Sequence, residues 1–228
     1  MSEQNSPILL TIAVLGATGK EGSGLAMRWA HSGYRVIIGS RDAKRAQQKA
    51  DELNTELGGS YLQGMDNLSA AKEAAIVVLT VPYEGHQALL ESLREALQGK
   101  TLVDVTVPIK PPTIRTVYVP EGKSASLEAQ AILGPDVKVV TAFQNVSAYH
   151  LKDEARHAAI CDVLVCGDDA RAKEDVIHLV RAAGMRGLDA GPLANSVAVE
   201  ALTPVLLYIN KRYKAQGAGI VIIGVNES

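Results

Sequence analysis

The residues most suggestive of chemistry are three glycines that follow a short apolar run near the start of the chain. Gly16, Gly19 and Gly22 come directly after residues 12–15, and an apolar pattern of helical spacing begins after them. Glycine permits the tight turn, the close approach of a pyrophosphate to the backbone and the close packing of helix on strand. The N–H groups and dipole of such a helix attract phosphate. Strand, turn and helix together predict a dinucleotide-binding unit, although glycines at this spacing also occur in ordinary tight turns.

A second set of candidate residues follows the next predicted strand. The predicted strand covers residues 34–39 and runs into Ser40 and Arg41, and Lys44 and Arg45 follow one turn into the next helix. A site for NAD requires a carboxylate about 20 residues past the glycine turn, where it binds the ribose 2′-hydroxyl. A guanidinium in that place can instead bind a 2′-phosphate through two hydrogen bonds. The residues favour NADP over NAD, with Asp42 as a helix N-cap; the alternative is a solvated basic helix start.

No set of side chains predicts a nucleophile or a metal site. Of the five histidines, His31 and His178 lie in predicted helices, and His86 and His150 lie near predicted loops at the carboxyl edge of the sheet and carry more weight. No Ser/His/Asp order, zinc-ligand spacing or pair of carboxylates occurs. We therefore predict no catalytic side chain and no metal. Hydride transfer between two bound rings requires proximity and orientation rather than a protein nucleophile.

Strands and helices alternate along most of the chain and position these residues. The apolar run at residues 75–81 is typical of a strand that is buried on both faces of a sheet. The pattern predicts an α/β fold of the Rossmann type, with a doubly wound, mostly parallel sheet. Such sheets bind ligands at their carboxyl edge, where Val81, Val107, Val146 and Ala148 would offer small apolar surfaces suited to flat rings.

Residues 109–122 form the longest irregular segment and contain Pro111, Pro112 and Pro120. The segment is either an excursion over the mouth of the active site or a surface connection. The sequence favours neither interpretation.

The alternating pattern breaks at Gly191 and Pro192. We therefore divide the chain into an NADP-binding Rossmann domain over residues 1–190 and a small C-terminal unit, which serves substrate binding or dimerisation, over residues 191–228. The unit is predicted to contain a helix and a final strand.

The predicted C-terminal helix covers residues 193–213, is apolar on nearly all sides and should kink at Pro204. The final strand is predicted over residues 217–224. A helix this apolar requires cover on most sides, either from the core of its own chain or from a partner. Because the unit is too short to bury the helix alone, we favour the interface of a homodimer.

Length and composition restrict the class of protein. The 228 residues are 47% hydrophobic and carry a net charge of −2, so no general attraction to nucleic acid or to an anionic membrane is expected. Cys161 and Cys166 provide no disulfide framework and are expected to be buried thiols in a reducing compartment. The polar N-terminus does not resemble a signal peptide, and no apolar run approaches the ~20 residues that span a bilayer. We expect a soluble, cytoplasmic protein.

Several motifs together resemble the F420-dependent NADP oxidoreductases. The motifs are GATGKEG at residues 16–22, GSR at 39–41, LTVPYE at 79–84, VCGDD at 165–169, LDAGPL at 188–193 and LTP at 202–204. The likeness extends from residue 12 to about residue 224, and the C-terminal motifs are far more specific than the glycine turn.

The resemblance implies a Rossmann-fold homodimer that passes a hydride between NADP(H) and the 5-deazaflavin coenzyme F420. By position, it implies that the pyrophosphate is bound by Thr18, Gly19, Lys20 and Glu21, and the 2′-phosphate by Ser40, Arg41 and Arg45. It likewise implies a nicotinamide side lined by Val81, Gly85, Val107 and Ala148. The deazaflavin contacts that it implies are Ala218, Val146 and Thr203.

Two other functions stay open at the level of sequence. One is an NADPH-dependent flavin or metal reductase, because related Rossmann domains in the STEAP-type metalloreductases use NADPH to reduce a flavin. The other is a non-catalytic dimer that senses NADPH.

Overall fold

A computed structural model describes residues 10–151 and 161–225 of the chain, and its backbone follows the predicted alternation of strands and helices. The strands are β1 (Ile12–Leu15), β2 (Val36–Ser40), β3 (Leu62–Asp66), β4 (Ile76–Leu79), β5 (Thr101–Asp104), β6 (Lys138–Thr141), β7 (Asp162–Gly167) and β8 (Arg186–Asp189). The helices are α1 (Lys20–His31), α2 (Ala43–Leu57), α3 (Asn67–Glu73), α4 (Tyr83–Leu97), α5 (Ala125–Leu133), α6 (Ala148–Leu151), α7 (Ala170–Ala182) and α8 (Ser196–Tyr213).

The strands form an eight-stranded sheet in the order β3-β2-β1-β4-β5-β6-β7-β8. Neighbouring strands from β3 to β6 are parallel, β7 is antiparallel to β6, and β8 is parallel to β7. This order confirms the predicted Rossmann-type, mostly parallel fold. The chain reverses its direction of growth between β1 and β4, which is the switch point where such sheets bind ligands.

An apolar layer covers each face of the sheet. Alternate residues of β1 enter different layers: Ile12 and Val14 belong to one, and Ala13 and Leu15 to the other. In the first layer Trp29 is fully buried, and its indole N–H donates to the carbonyl of residue 179 at 2.8 Å. The apolar runs are therefore buried on both faces, as predicted from their lack of alternation.

The ends of five strands lie in one row. The register pairs Leu15 with Gly39 on one side and with Leu79 on the other, Leu79 with Asp104, and Asp104 with Thr141. The loops that follow these residues therefore emerge along one edge of the sheet. We call this row of loops the carboxyl edge.

The predicted C-terminal helix is present in two parts. A short 3₁₀ turn at Leu193–Asn195 precedes α8, and Pro204 lies inside α8. The predicted kink at Pro204 stays a prediction.

The predicted strand over residues 217–224 is wrong. Ile220 accepts one backbone hydrogen bond from Asp162 at 2.8 Å. The next backbone groups bond to side chains: the N–H of Ile222 donates to the Asp162 carboxylate at 2.6 Å, and its carbonyl accepts from Arg186 at 2.7 Å. These side chains replace the backbone ladder that a strand would need.

By length and composition alone, the segment Leu193–Tyr213 could cross a membrane, with a mean hydropathy of 1.3 and 33% of its most apolar window buried. On that measure the expectation that no apolar run could span a bilayer is wrong for this segment. One such helix is weak evidence for a span, because packed helices of soluble proteins also meet the criterion. Within the segment, Glu200 is only 3% exposed and bonds to the backbone of α5, which is a contact of packed protein.

The irregular segment at residues 109–122 connects β5 to α5 and begins at the carboxyl edge. It exposes the consecutive apolar residues Val117, Tyr118 and Val119, and the ammonium of Lys110 lies 5.1 Å from the centre of the Tyr118 ring. This position is compatible both with an excursion over the mouth of the active site and with a surface connection.

Candidate functional site

The turn between β1 and α1 has the geometry of a phosphate cradle. Gly16 has a φ of +84°, and an added Cβ would lie 2.8 Å from the carbonyl oxygen of Thr80. A Cβ on Gly22 would lie 2.4 Å from the Thr80 hydroxyl, so both glycines are required by close contacts. At Gly19 the nearest atom to an added Cβ is 3.5 Å away, and no side chain caps the helix that starts at Lys20. The free N–H groups of this first turn are suited to a bound phosphate.

Glu21 lies in the same first turn and is partly buried. Burial raises the pKa of its carboxyl to about 8, so the neutral form is favoured at pH 7. Among the described residues its carboxyl has no hydrogen bond or ion pair. A neutral carboxyl can lie beside a phosphate without charge repulsion.

Basic side chains lie free at the end of β2. Ser40 ends the strand, and the exposed Arg41 and Arg45 have no ion pair or hydrogen bond from their guanidinium groups within the described ranges. Asp42 caps α2, because its carboxylate accepts from the backbone N–H of Lys44 at 2.9 Å and of Arg45 at 3.4 Å. This confirms the predicted N-cap. The Asp42 carboxylate is thus engaged by the helix, and the two guanidinium groups are available to an anion.

The loops after β4 and β5 lie side by side at the carboxyl edge. Val81 follows β4 and Val107 follows β5, and the hydroxyl of Thr106 donates to the Val81 carbonyl at 3.4 Å. Gly85 lies in the first turn of α4, with no atom within 4 Å of an added Cβ. Ala148 opens α6, past the end of β6. Of the four residues implied for the nicotinamide side, Val81 and Val107 therefore lie in loops, and Gly85 and Ala148 lie in the first turns of helices that follow β4 and β6.

Reasoning from the sequence missed a buried ion pair beneath these loops. The ring Nε2 of His86 donates to the Asp104 carboxylate at 2.8 Å, and the two side chains are 1% and 0% exposed. The other carboxylate oxygen of Asp104 accepts from the N–H of Thr106 at 3.0 Å, and its carbonyl accepts from Gln144 at 2.6 Å. The pair therefore shapes the loops after β5 and β6. An acid within the apolar run at residues 101–105 was the signal for it.

The charge of this pair follows from its surroundings. Burial by itself lowers the pKa of His86, but the carboxylates of Asp104, Glu200 and Glu128 outweigh burial and raise it. The cationic form of the ring is thereby more favoured than in a free imidazole.

Glu200 attaches α8 to the same region and was also missed. Its carboxylate accepts from the N–H of Ala125 at 2.7 Å, from the N–H of Ser126 at 3.1 Å and from the Ser126 hydroxyl at 2.9 Å. Burial, together with the charge of Asp104, outweighs these hydrogen bonds and raises the pKa of Glu200 to about 7. An acid in an otherwise apolar helix was the only sequence signal.

The residues implied for the deazaflavin lie in two places. The Thr203 hydroxyl donates to the carbonyl of Gln144 at 2.7 Å, which attaches α8 to the loop after β6. Val146, in that loop, is 7% exposed. Ala218 lies beyond α8, where its N–H donates to the Asn210 side chain at 2.8 Å. Thr203 thus contacts the loop that contains Val146, whereas Ala218 belongs to the segment after α8.

Within residues 10–151 and 161–225, no group of three His, Cys, Asp or Glu side chains could hold a metal ion. Cys161 and Cys166 are buried and free.

Comparison with solved structures shows the fold. A hypothetical protein from Sinorhizobium meliloti superposes with a TM-score of 0.67 at 22% identity, over 82% of this chain and 87% of that one. A pyrroline-5-carboxylate reductase from Coxiella burnetii superposes with a TM-score of 0.59 at 16% identity, over 90% of this chain and 68% of that one. At these identities the two structures show only that the fold is shared.

Comparison with known sequences shows the family. The family described as NADP oxidoreductase coenzyme F420-dependent matches residues 11–108. The rat metalloreductase STEAP3 is 33% identical over 86% of this chain, but the match spans only 37% of that protein.

Three proteins named F420-dependent NADP reductase match over 97–100% of their own length. The F420-dependent NADP reductase of Methanocaldococcus jannaschii is 40% identical over 93% of this chain and 98% of its own. Its counterpart in Methanothermobacter marburgensis is 36% identical over 96% of this chain and 100% of its own. The match therefore includes the C-terminal unit as well as the glycine turn. The chain belongs to the family of F420-dependent NADP reductases.

Proposed function

We propose that this protein is an oxidoreductase that transfers a hydride directly between NADP(H) and the deazaflavin coenzyme F420. The observation that carries the proposal is the 36–40% identity to proteins named F420-dependent NADP reductase, over nearly the full length of both chains. The carboxyl edge supports it, since a phosphate cradle, free guanidinium groups and small apolar loops occur there together.

The phosphates of NADP(H) are bound at the start of α1 and at the end of β2. In this proposal Gly16, Thr18, Gly19, Lys20, Glu21 and Gly22 form the pyrophosphate cradle. The 2′-phosphate lies against Ser40, Arg41 and Arg45. The favoured neutral form of Glu21 limits charge repulsion at the pyrophosphate. The Asp42 carboxylate is engaged by the backbone N–H of Lys44 at the start of α2.

The two rings meet over the loops of the carboxyl edge. Val81, Gly85, Val107 and Ala148 contact the nicotinamide in this proposal, and Ala218, Val146 and Thr203 contact the deazaflavin. When bound, the nicotinamide supplies or accepts the hydride. The protein contributes position and exclusion of water, which together account for large rate effects when the reacting atoms are held about 3–3.5 Å apart. No side chain serves as nucleophile.

We further propose a soluble, cytoplasmic homodimer with no nucleic-acid or membrane partner. The Rossmann domain covers residues 1–190, and the C-terminal unit at residues 191–228 serves substrate binding and dimerisation. The exposed apolar side chains of this unit support the dimer.

The proposed function is tested by anaerobic absorbance spectroscopy of the purified protein. NADPH is added to oxidised F420 and, in parallel, to riboflavin and flavin mononucleotide. We expect NADPH to bleach the deazaflavin band catalytically while the flavins stay oxidised. Reduction of a flavin alone would support the flavin reductase alternative. Tight NADPH binding without turnover on any acceptor would support the sensor.

A further inference from the structure

The segment after α8 is attached by two hydrogen bonds to residues that follow β6, namely Ser147 in the loop and His150 in α6. The ring Nε2 of His150 lies 2.7 Å from the carbonyl oxygen of Gly217, and since a carbonyl only accepts, Nε2 carries the proton. The hydroxyl of Ser147 donates to the carbonyl of Gln216 at 3.4 Å. We call this pair of bonds the His150 latch.

The loop side of the latch is anchored to the core. The guanidinium of Arg28, on α1, donates to the carbonyl of His150 at 2.6 Å and to that of Leu151 at 3.0 Å. The N–H of His150 donates to the carbonyl of Ser147 at 2.9 Å, and its ring meets the Tyr149 ring edge-on, with the ring centres 5.5 Å apart. The backbone at His150 is therefore held by α1 and by its own turn, and the imidazole packs against the Tyr149 ring.

The other side of the latch is anchored to α8. The Asn210 side chain accepts from the N–H of Ala218 at 2.8 Å, and the Asn210 carbonyl accepts from the N–H of Ala215 at 3.0 Å. Gly217 lies between these two anchored residues. A Cβ on Gly217 would lie 2.2 Å from His150 Nε2, so a side chain at residue 217 would require the imidazole or the segment to move.

We propose that His150 is a positioning residue that sets the separation between the two cofactor-binding surfaces. The inference rests on the proposed function: Ala148, two residues before His150, faces the nicotinamide, and Ala218, directly after Gly217, faces the deazaflavin. The latch joins these two surfaces through one short hydrogen bond. Its residues are not among those proposed to bind the NADP phosphates at the start of α1 and the end of β2. Loss of the latch should therefore slow hydride transfer and leave NADPH affinity intact.

The first test compares His150→Ala with His150→Gln, which keeps an N–H donor. His178→Ala is the matched control, because His178 is exposed on α7. We expect His150→Ala to lower kcat for F420 reduction about 10- to 100-fold, since a displacement of about 1 Å can cost that much. The Kd for NADPH, measured by fluorescence, should stay within about twofold of the wild-type value. His150→Gln should recover most of kcat, and His178→Ala should behave like the wild-type protein.

Deuterium at the transferred position of NADPH adds a readout that simple loss of folded protein does not change. We expect a larger isotope effect on kcat in His150→Ala than in the wild-type protein, because the hydride step becomes rate-limiting. Far-UV circular dichroism confirms folding. If His150→Ala does not fold, the same measurements of kcat and of the Kd for NADPH are made on His150→Gln and Gly217→Ala instead.

The second test uses Gly217→Ala, whose methyl group would overlap the present position of His150 Nε2, so that the ring and the segment must separate. This variant should lower kcat to a similar extent, and the double variant His150→Ala/Gly217→Ala should be no slower than either single variant, because both break one interaction. Additive effects of the two substitutions on kcat, or an unchanged kcat in His150→Ala, would overturn the role proposed for the latch. The proposed function would still be upheld in that case if the wild-type protein reduces F420. If the wild-type protein binds NADPH but does not reduce F420, the proposed function fails and the latch fails with it.

Discussion

Arg41 is the residue that most directly decides between NADP and NAD. It stands at the end of β2, where an NAD site has a carboxylate, and no side chain among the described residues pairs with its guanidinium. The acid beside it, Asp42, is engaged as an N-cap. The local charge is therefore positive and available, which is what a 2′-phosphate requires.

The substitution Arg41→Glu should weaken NADPH binding by roughly 2–4 kcal/mol, because it removes a charged hydrogen bond and adds a repelling carboxylate. This corresponds to a roughly 30- to 700-fold increase in Kd. Fluorescence titration measures the Kd. Arg171→Glu, at an exposed position on α7, is the matched control and should leave the Kd unchanged. Unchanged NADPH affinity in Arg41→Glu would show that the 2′-phosphate binds elsewhere.

Gly22 is a second residue whose role can be tested alone. A Cβ there would lie 2.4 Å from the Thr80 hydroxyl and 2.7 Å from the Cα of Ala17. We expect Gly22→Ala to lower the free energy of unfolding by about 1–3 kcal/mol, the usual cost of overpacking. Urea denaturation measures this. Gly85→Ala is the control: a methyl group there meets no atom within 4 Å, so a helical alanine should be neutral or stabilising. Equal losses in both variants would contradict the argument.

At the scale of the element, α8 is held by polar atoms despite its apolar composition. Glu200 bonds to the first N–H groups of α5, where the helix dipole favours a carboxylate. Burial and the negative charge of Asp104 disfavour the ionised carboxyl more strongly than these hydrogen bonds favour it. The pKa of Glu200 therefore rises to about 7. The contact between α8 and α5 is therefore sensitive to pH near neutrality.

Glu200→Gln should flatten the pH dependence of stability. A carboxyl whose pKa rises from 4.5 to about 7 on folding stabilises the fold below pH 4.5, and this contribution is lost as the pH rises towards 7 and above. The full contribution is about 3 kcal/mol. The difference in free energy of unfolding, wild type minus Glu200→Gln, should therefore fall between pH 5 and 8 in urea titrations. Glu21 is present in both proteins, so its own titration cancels from this difference.

Glu174→Gln is the control for this measurement, since Glu174 is exposed on α7. Its stability should follow the wild-type pH profile. Parallel profiles for wild type and Glu200→Gln would mean that the Glu200 carboxylate stays ionised throughout, with the hydrogen bonds from α5 outweighing burial.

The same elements show how far the sequence predicts the structure. Strands such as β4 are predictable because a continuous apolar run indicates a strand that is buried on both faces of the sheet. The glycine turn and the Asp42 cap are predictable because each depends on residues close in sequence. The pairing of His86 with Asp104 could not be predicted from the sequence, because it joins α4 to β5 and depends on how these two elements pack. The missing C-terminal strand has the same cause, since Asp162 and other distant side chains bind its backbone.

At the scale of the whole molecule, the C-terminal unit leaves apolar surface uncovered. Val205 and Tyr208 on α8 are 44% and 58% exposed, and Ile223 beyond it is 89% exposed. Half of the exposed large hydrophobic side chains in the described ranges lie in this unit: Val205, Tyr208, Tyr213, Val221, Ile222, Ile223 and Val225. The chain's own core therefore does not cover α8 on all sides. Apolar surface of this kind usually marks an interface, which supports the proposed homodimer.

Tyr208→Glu should convert the proposed dimer into a monomer. An isologous interface repeats each residue on both subunits, so one substitution introduces two buried, unpaired carboxylates, each costing several kcal/mol. Light scattering after size-exclusion chromatography measures the mass, and circular dichroism confirms the fold. Leu68→Glu, at a 42% exposed position on α3, is the control and should stay dimeric. A dimeric Tyr208→Glu would place the interface elsewhere. A monomeric wild-type protein would mean that α8 keeps its apolar face in water.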